Sequence, residues 1–354
     1  MPMRINLFLQ SLIASFLIIV CTSLFAGDSS LKPVSPNASP EAVKLYEYIQ
    51  SISGEKILAG QHHNPLRGTS RLSVVHRRTQ KYPAVVGHDF GFSYPGYWDG
   101  INYRQQIIDD AIRRDDEGFI NTIMWHAVVP TLDEPATFRP GVQTERSENH
   151  PTEEQWKELT TPGTHLNERW KSQVDVVAWF LKQLQWADVP VLWRPYHEMN
   201  GKWFWWGGRP GPDGYQKLWR MLYDRFVNFH GLNNLIWVFN CNEVKENVGE
   251  YKLFYPGDDV VDILATDVYS EGYNQMNYDL LNELAGDKPI AVGECGSPPS
   301  DSLLVAQPRW AWFMRWGDPG RGDRDIYQSE HVITLYDLPW AHIKDPKIHY
   351  PILR

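Results

Sequence analysis

The chain has 354 residues, 42% apolar and 22% charged, proportions that fit a globular protein with a large core and exclude a disordered one. A formal charge of −9, with no Lys/Arg cluster longer than two, excludes a binder of phosphate backbones, so nucleic acid is not an expected partner. The sixteen tryptophans exceed what a core of this size needs, and planar rings in excess point to a ligand with flat faces, such as a sugar.

Residues 1–26 place Met1 and Arg4 ahead of an apolar stretch from Leu7 to Phe25 and read as a secretory signal peptide. An uncleaved anchor is the alternative, because the run is just long enough to span a bilayer. Residues 27–40 read as a Pro-rich linker and 41–354 as one domain, since barrel domains reach this length undivided. The expected location is secreted or periplasmic, with no stable membrane partner.

From Glu41 onward, short β-branched or aromatic runs alternate with amphipathic stretches. KILAG comes first, followed by His62 and His63 in GQHH. AVVGHDF delivers His88 and Asp89 at its end, and FINTIMWH delivers Trp125 and His126. The connection from Ala127 to Glu168 is too long for an ordinary loop. Within it Thr152 and Gln155 fit a capping box that starts a short helix carrying Trp156, and this insertion is expected to wall a groove. Next, Trp170, Val174, Val177, Ala178 and Leu181 mark one face of a helix. VLWRPYHE then ends on His197 and Glu198 and is followed at once by Trp203, Phe204, Trp205 and Trp206. A second helix with Leu218, Met221, Leu222 and Phe226 precedes LIWVFNCN. DILATDVY ends on Tyr269, PIAVGECG carries Glu294 and WAWFMRWG ends at Trp316. Eight such runs separated by helices predict an α/β fold of the (β/α)8 TIM-barrel type; a doubly wound open sheet is the alternative, but its Gly-rich phosphate turn is missing.

In such a barrel the C-terminal strand ends form one mouth, and there the polar residues collect. Glu198 on strand 4 and Glu294 on strand 7 carry the strongest signal. A retaining glycosidase needs two carboxyls about 5 Å apart, in opposite ionisation states, to protonate a leaving oxygen and to capture an oxocarbenium-like carbon. Tyr269, at the end of the neighbouring strand, is placed to hold Glu294, and Trp316 to form an apolar floor. Of the tryptophans after Glu198, Trp203 is the favoured sugar platform, with Trp205 and Trp206 packing the loop. His126 and His197 suit hydrogen bonds to sugar hydroxyls or to a glutamate; Asp89 suits either that or an acceptor role toward nearby backbone. A metal reading lacks support, because His197-Glu198 has no second histidine at H-E-x-x-H spacing and His62-His63 has no carboxylate partner in a ligand-like spacing along the sequence. No cofactor is called for. Cys241 and Cys295 fall on non-adjacent strands and are expected to be free thiols.

WRPYHEMNGKWFWWG, together with PIAVGECG, resembles glycoside hydrolase family 26, whose members are mostly β-mannanases on a clan A barrel. The resemblance runs from GQHH to Trp316. It implies Glu198 as acid/base and Glu294 as nucleophile, with His126, His197, Trp203, Tyr269 and Trp316 lining the subsites around the cleaved bond. Gly317 follows Trp316 where some members place an arginine. The implied substrate is a β-mannan-type polysaccharide cleaved internally. Mixed-linkage glucan, β-1,3-xylan and exo action are the alternatives within the family, and a catalytically silent carbohydrate-binding barrel is the alternative outside it. Oligomeric state is not legible.

Overall fold

The computed structural model describes residues 32–65, 70–91, 101–246, 248–269, 273–318, 320 and 323–341. The expected signal peptide and residues 27–31 of the linker lie outside the described residues. The strands are β1 (Ile57–His62), β2 (Val85–Asp89), β3 (Ile120–Trp125), β4 (Val191–Pro195), β5 (Leu235–Asn242), β6 (Ile263–Val268), β7 (Ile290–Cys295), β8 (Trp310–Arg315) and β9 (Val332–Ile333). The first eight are all parallel and pair in sequence order, and β1 pairs with both β8 and β2, which closes the ring. This is the (β/α)8 barrel, and its eight strands are the eight runs read from the sequence. β9 adds two residues beside the start of β1, too few to leave a periodic signal.

The helices are α1 (Pro40–Ile52), α2 (Arg71–Thr79), α3 (Arg104–Asp116), α4 (Phe138–Gly141), α5 (Glu153–Leu159), α6 (His165–Trp186), α7 (Tyr215–Tyr223), α8 (Gln275–Ala285), α9 (Asp301–Ala306) and α10 (Asp323–Ile326). The Thr152–Gln155 capping box starts α5 as the sequence predicts. The five apolar positions of α6 are all buried. On α7 Leu218 and Leu222 are buried, and Phe226 continues the face on a π-helical turn, Asp224–Phe229. Ser39 caps α1 through its side chain and Pro40 opens it. The end of the linker is tied to the barrel, because Val34 N–H donates to Asp262 Oδ1 (2.6 Å) and Ser39 N–H to Asn233 O (2.7 Å).

Every strand is buried on both faces, and alternate residues belong to different apolar clusters. Trp193, Trp237 and Phe239 face the helices: Trp193 meets Phe226, and Phe239 meets Tyr215. Leu192, Ile236, Val238, Ile263 and Ala265 belong to the other cluster, the lumen, which α1 helps to close. One step further along the same lumen rows stand Arg194, Asn240 and Asp267. The lumen is therefore apolar low down and polar at the mouth.

The tryptophan excess turns out to be mostly a core feature. Trp125, Trp193, Trp205, Trp206, Trp219, Trp237, Trp310 and Trp312 are fully buried, with Trp193, Trp219 and Trp237 between barrel and helices, Trp205 and Trp206 in the loop after β4 and Trp312 in the lumen cluster. Cys241 and Cys295 are free and buried, with β6 between their strands. Burial pushes both thiols up, Cys295 to about 12, so they stay protonated and inert.

Candidate active site

Glu198 does not sit on β4, as the sequence suggests, but three residues past its end. Pro195 ends the ladder, and Tyr196 and Glu198 then take left-handed backbone angles (φ 48° and 55°). Such angles in non-glycine residues are strained, and persist where the surroundings dictate them. Here the surroundings do. Glu198 N–H donates to Asn240 O (2.8 Å), Trp170 Nε1–H to Tyr196 Oη (3.0 Å) and Trp206 Nε1–H to His197 O (2.8 Å). Trp205 donates to Ala127 O (2.9 Å). Both rings thus pack the loop, as expected of them, and fix the turn that carries Glu198.

The Glu198 carboxyl is held by Asn242 Nδ2 at Oε1 (2.9 Å) and Trp203 Nε1 at Oε2 (2.7 Å). Gly201 lets the Trp203 ring lie against the turn, since a Cβ there would stand 2.1 Å from a ring carbon. Burial, and after it the Glu294 charge, raises Glu198 to about 7. A carboxyl poised there is a competent acid at neutral pH.

Glu294 owes its aim to a β-bulge. Opposite Thr266 and Asp267 of β6 stand Val292 and Glu294 of β7, so Gly293 is the extra residue. A Cβ on Gly293 would lie 1.7 Å from Asn240 Oδ1 and 2.9 Å from Asp267 Oδ1, so glycine makes room for the polar layer of the lumen. Glu294 accepts from Arg194 Nη2 at Oε1 (3.1 Å) and from Tyr269 Oη–H at Oε2 (2.6 Å). A cation and a hydroxyl aimed at its two oxygens are what a carboxylate anion needs. Partial burial and the Glu294 charge hold the Tyr269 phenol well above its usual range, so it remains the donor of that pair.

Arg194 also donates to Asn240 Oδ1 (2.8 Å), and Asn240 Nδ2 donates to Asp267 Oδ1 (2.8 Å). Asp267 is fully buried; burial and then the Glu294 charge push it well above the carboxylate range. One guanidinium thus touches both Asp267 and Glu294, and burial raises Glu198 and Asp267 toward their neutral forms.

Asp89 anchors His126: Oδ2 lies 2.7 Å from Nδ1, while Oδ1 accepts the N–H groups of Gly91 (2.8 Å) and His126 (3.3 Å). His126 packs edge-on against His197, ring centroids 4.5 Å apart, with Phe204 5.3 Å from both. Burial, followed by His126 and Arg194, holds His197 well below the usual histidine range and therefore neutral; its Nε2 is 3.7 Å from Glu294 Oε1. Trp316, one residue past β8, stacks on His62 at 4.1 Å and lies 6.1 Å from His126. Trp156 lines a groove beside Arg209 and Asp213. Its ring is buried under the Arg209 guanidinium (4.8 Å), and its N–H donates to Asp213 O (3.0 Å), which ties α5 to the loop before α7. The insertion meets the mouth further upstream, where Gln143 bridges Phe204 and Thr144 N–H donates to Trp203 O (3.0 Å).

Residues 34–346 match the sequence profile of Glycosyl hydrolase family 26. The chain belongs to this family. It is 35% identical over 330 residues to a mannan endo-1,4-beta-mannosidase of Thermothelomyces thermophilus, an alignment covering 86% of this chain and 62% of that protein. It is 31% identical to mannan endo-1,4-beta-mannosidase A of Piromyces sp., covering 88% of this chain and 51% of that one. The chain thus spans between half and two thirds of the length of these relatives. Among solved structures it resembles GH26A from Muricauda sp. MAR_2010_75, with 44% identity, TM-score 0.80 and coverage of 86% of this chain and 99% of that one.

Sequence reasoning on this family 26 chain leaves Asn242 and Asp267 without roles and Arg194 outside the site. Their signal is positional, since each ends a lumen-facing row. His197, Glu198 and Asp267 bring ligand atoms within 4.8 Å of one another, a spacing that can hold a cation. The donors Asn242 and Trp203 at Glu198, and Arg194 beside Asp267, compete with a metal for those oxygens.

Because the Trp203 hydrogen bond favours the ionised form of Glu198, Trp203→Phe is expected to raise that group further. A general acid works only while protonated, so if Glu198 has the acid role that the resemblance implies, activity is expected to fall as pH rises through about 7. In Trp203→Phe this alkaline limb moves upward, by at most about one pH unit for one hydrogen bond. A pH profile of kcat/KM with an unchanged or lowered alkaline limb would contradict the assignment.

Proposed function

We propose that the protein is a retaining endo-β-1,4-mannanase, secreted by virtue of its first 26 residues, with Glu198 as acid/base and Glu294 as nucleophile. The observation that carries the reading is the contrast between two carboxyls at one mouth: Glu198 raised to about 7, and Glu294 held between Arg194 and Tyr269. Opposite ionisation states are what double displacement requires. Glu294 attacks the anomeric carbon while Glu198 protonates the departing glycosidic oxygen, giving a covalent glycosyl-enzyme. Glu198, now ionised, takes a proton from the water that releases the sugar. Neutral His197 and the Asp89-anchored His126 offer ring nitrogens to sugar hydroxyls, and Trp203 and Trp316 offer faces to sugar C–H groups. The names of the relatives favour mannan over other β-glycans.

Hydrolysis of linear mannan, galactomannan and mixed-linkage glucan, run side by side, tests substrate and mode together. Mannan viscosity is expected to fall well before much reducing sugar appears. Mannobiose alone from the first minute would replace endo with exo action, and faster glucan cleavage would replace the substrate.

A further inference from the structure

Helix α6 (His165–Trp186) leaves two tryptophans in solvent, Trp179 at 54% exposure and Trp186 at 67%, in a protein that buries most of its indoles completely. They are seven residues apart. At 100° per residue that separation returns to within about 20° of the same direction, and it spans about 10.5 Å along the axis. The pair therefore forms one stripe, and its place on the helix is fixed on both sides. On one flank, Asp175 binds Arg225 (2.7 Å) and His230 (2.8 Å), and Lys182 Nζ donates to His230 O (3.1 Å), so this row faces the turn after α7. On the other flank Gln183 accepts from Gln105 of α3 (2.9 Å). The tryptophan stripe is the outward ridge between these rows. Trp179 is braced edge-on by Phe180 at 5.1 Å.

We infer that Trp179 and Trp186 form a second binding platform, outside the catalytic mouth, for a β-1,4-linked hexose chain. This rests on the mannanase reading for the choice of polymer. In such a chain each sugar is turned over relative to the next, so every second ring presents the same face. The axial spacing of the two indoles is close to that disaccharide repeat. A protein partner would call for a contiguous apolar patch, whereas here two separate rings are divided by polar side chains. Because α6 runs down the outside of the barrel into β4, Trp186 lies toward the end opposite the mouth. A polymer held there is a different stretch from the one being cut, and the platform raises the effective concentration of substrate at the cleft.

The test compares the mature protein with Trp179→Ala/Trp186→Ala and with Trp179→Tyr/Trp186→Tyr, each in an active and a Glu294→Ala background. Depletion onto insoluble linear mannan is expected to weaken about tenfold in the alanine pair, a modest stacking contribution from each ring, and to be largely kept in the tyrosine pair. Hydrolysis of soluble mannohexaose is expected to be unchanged in both active variants. Undiminished depletion by the alanine pair overturns the proposal. So does an equal loss of mannohexaose turnover, which marks a general structural effect, or a shift from dimer to monomer, which makes the ridge a self-interface. A parent protein that hydrolyses no mannan overturns the catalytic reading instead, and the depletion comparison still decides the platform.

Discussion

Glu294→Ala is expected to reduce turnover of every glycoside to the background rate, because no quality of leaving group replaces a missing nucleophile. Glu198→Ala is expected to behave differently. Without a proton donor, mannan turnover falls about 10²–10⁴-fold. An aryl mannoside with a good leaving group needs little protonation and still forms the glycosyl-enzyme. Its release then stalls, since the residue that would activate water is the one removed. Added azide needs no base, so it restores turnover and yields a β-mannosyl azide. A β-azide from Glu294→Ala instead would reverse the two roles, and indifference to both substitutions would mean that the mouth has been misread. The proposed roles rest on different settings: Glu198 is held by Trp203 and Asn242 within a strained turn, whereas Glu294 faces the Arg194 guanidinium.

Arg194→Ala is expected to be among the most destabilising single substitutions in the barrel. Arg194 is 2% exposed, and its guanidinium touches Asn240, Asp267 and Glu294 together. Removing it leaves two buried carboxyls without their cation and Asn240 Oδ1 without its donor. Breaking a buried pair of this kind costs about 3–5 kcal/mol. Denaturant titration measures the loss, and activity is expected to fall with it, because Glu294 loses the cation that faces its Oε1. Arg194→Met/Asp267→Asn removes a carboxyl along with the cation, and is expected to recover part of the stability but not the activity. Equal stability of the single and double variants would show that Asp267 carries no charge coupling to Arg194.

Much of this was legible in the sequence because barrel strands buried on both faces leave unbroken β-branched and aromatic runs, and their interrupting polar residues mark the mouth. Tyr269 was legible as the partner of Glu294 because adjacent parallel strands place their ends side by side. The position of Glu198 was not. PYHE contains no glycine, so nothing announces two left-handed residues after Pro195; the turn is imposed by Asn240, Trp170 and Trp206, all distant in sequence or across the loop. The bulge at Gly293 was hidden for a similar reason, since a strand glycine reads as a weak position until the side chain it admits is known. Trp156 was legible in part: the capped helix of the long insertion does wall a groove, and what the sequence hides is that the ring packs under Arg209 with its N–H bound to Asp213 O.

Proton NMR of the sugar first released from a β-mannoside tests the central claim most directly. Double displacement through Glu294 predicts that the β-anomer appears first and mutarotates to α afterwards. If the α-anomer appears first, a single displacement by water is at work, and the assignment of Glu294 as nucleophile is wrong.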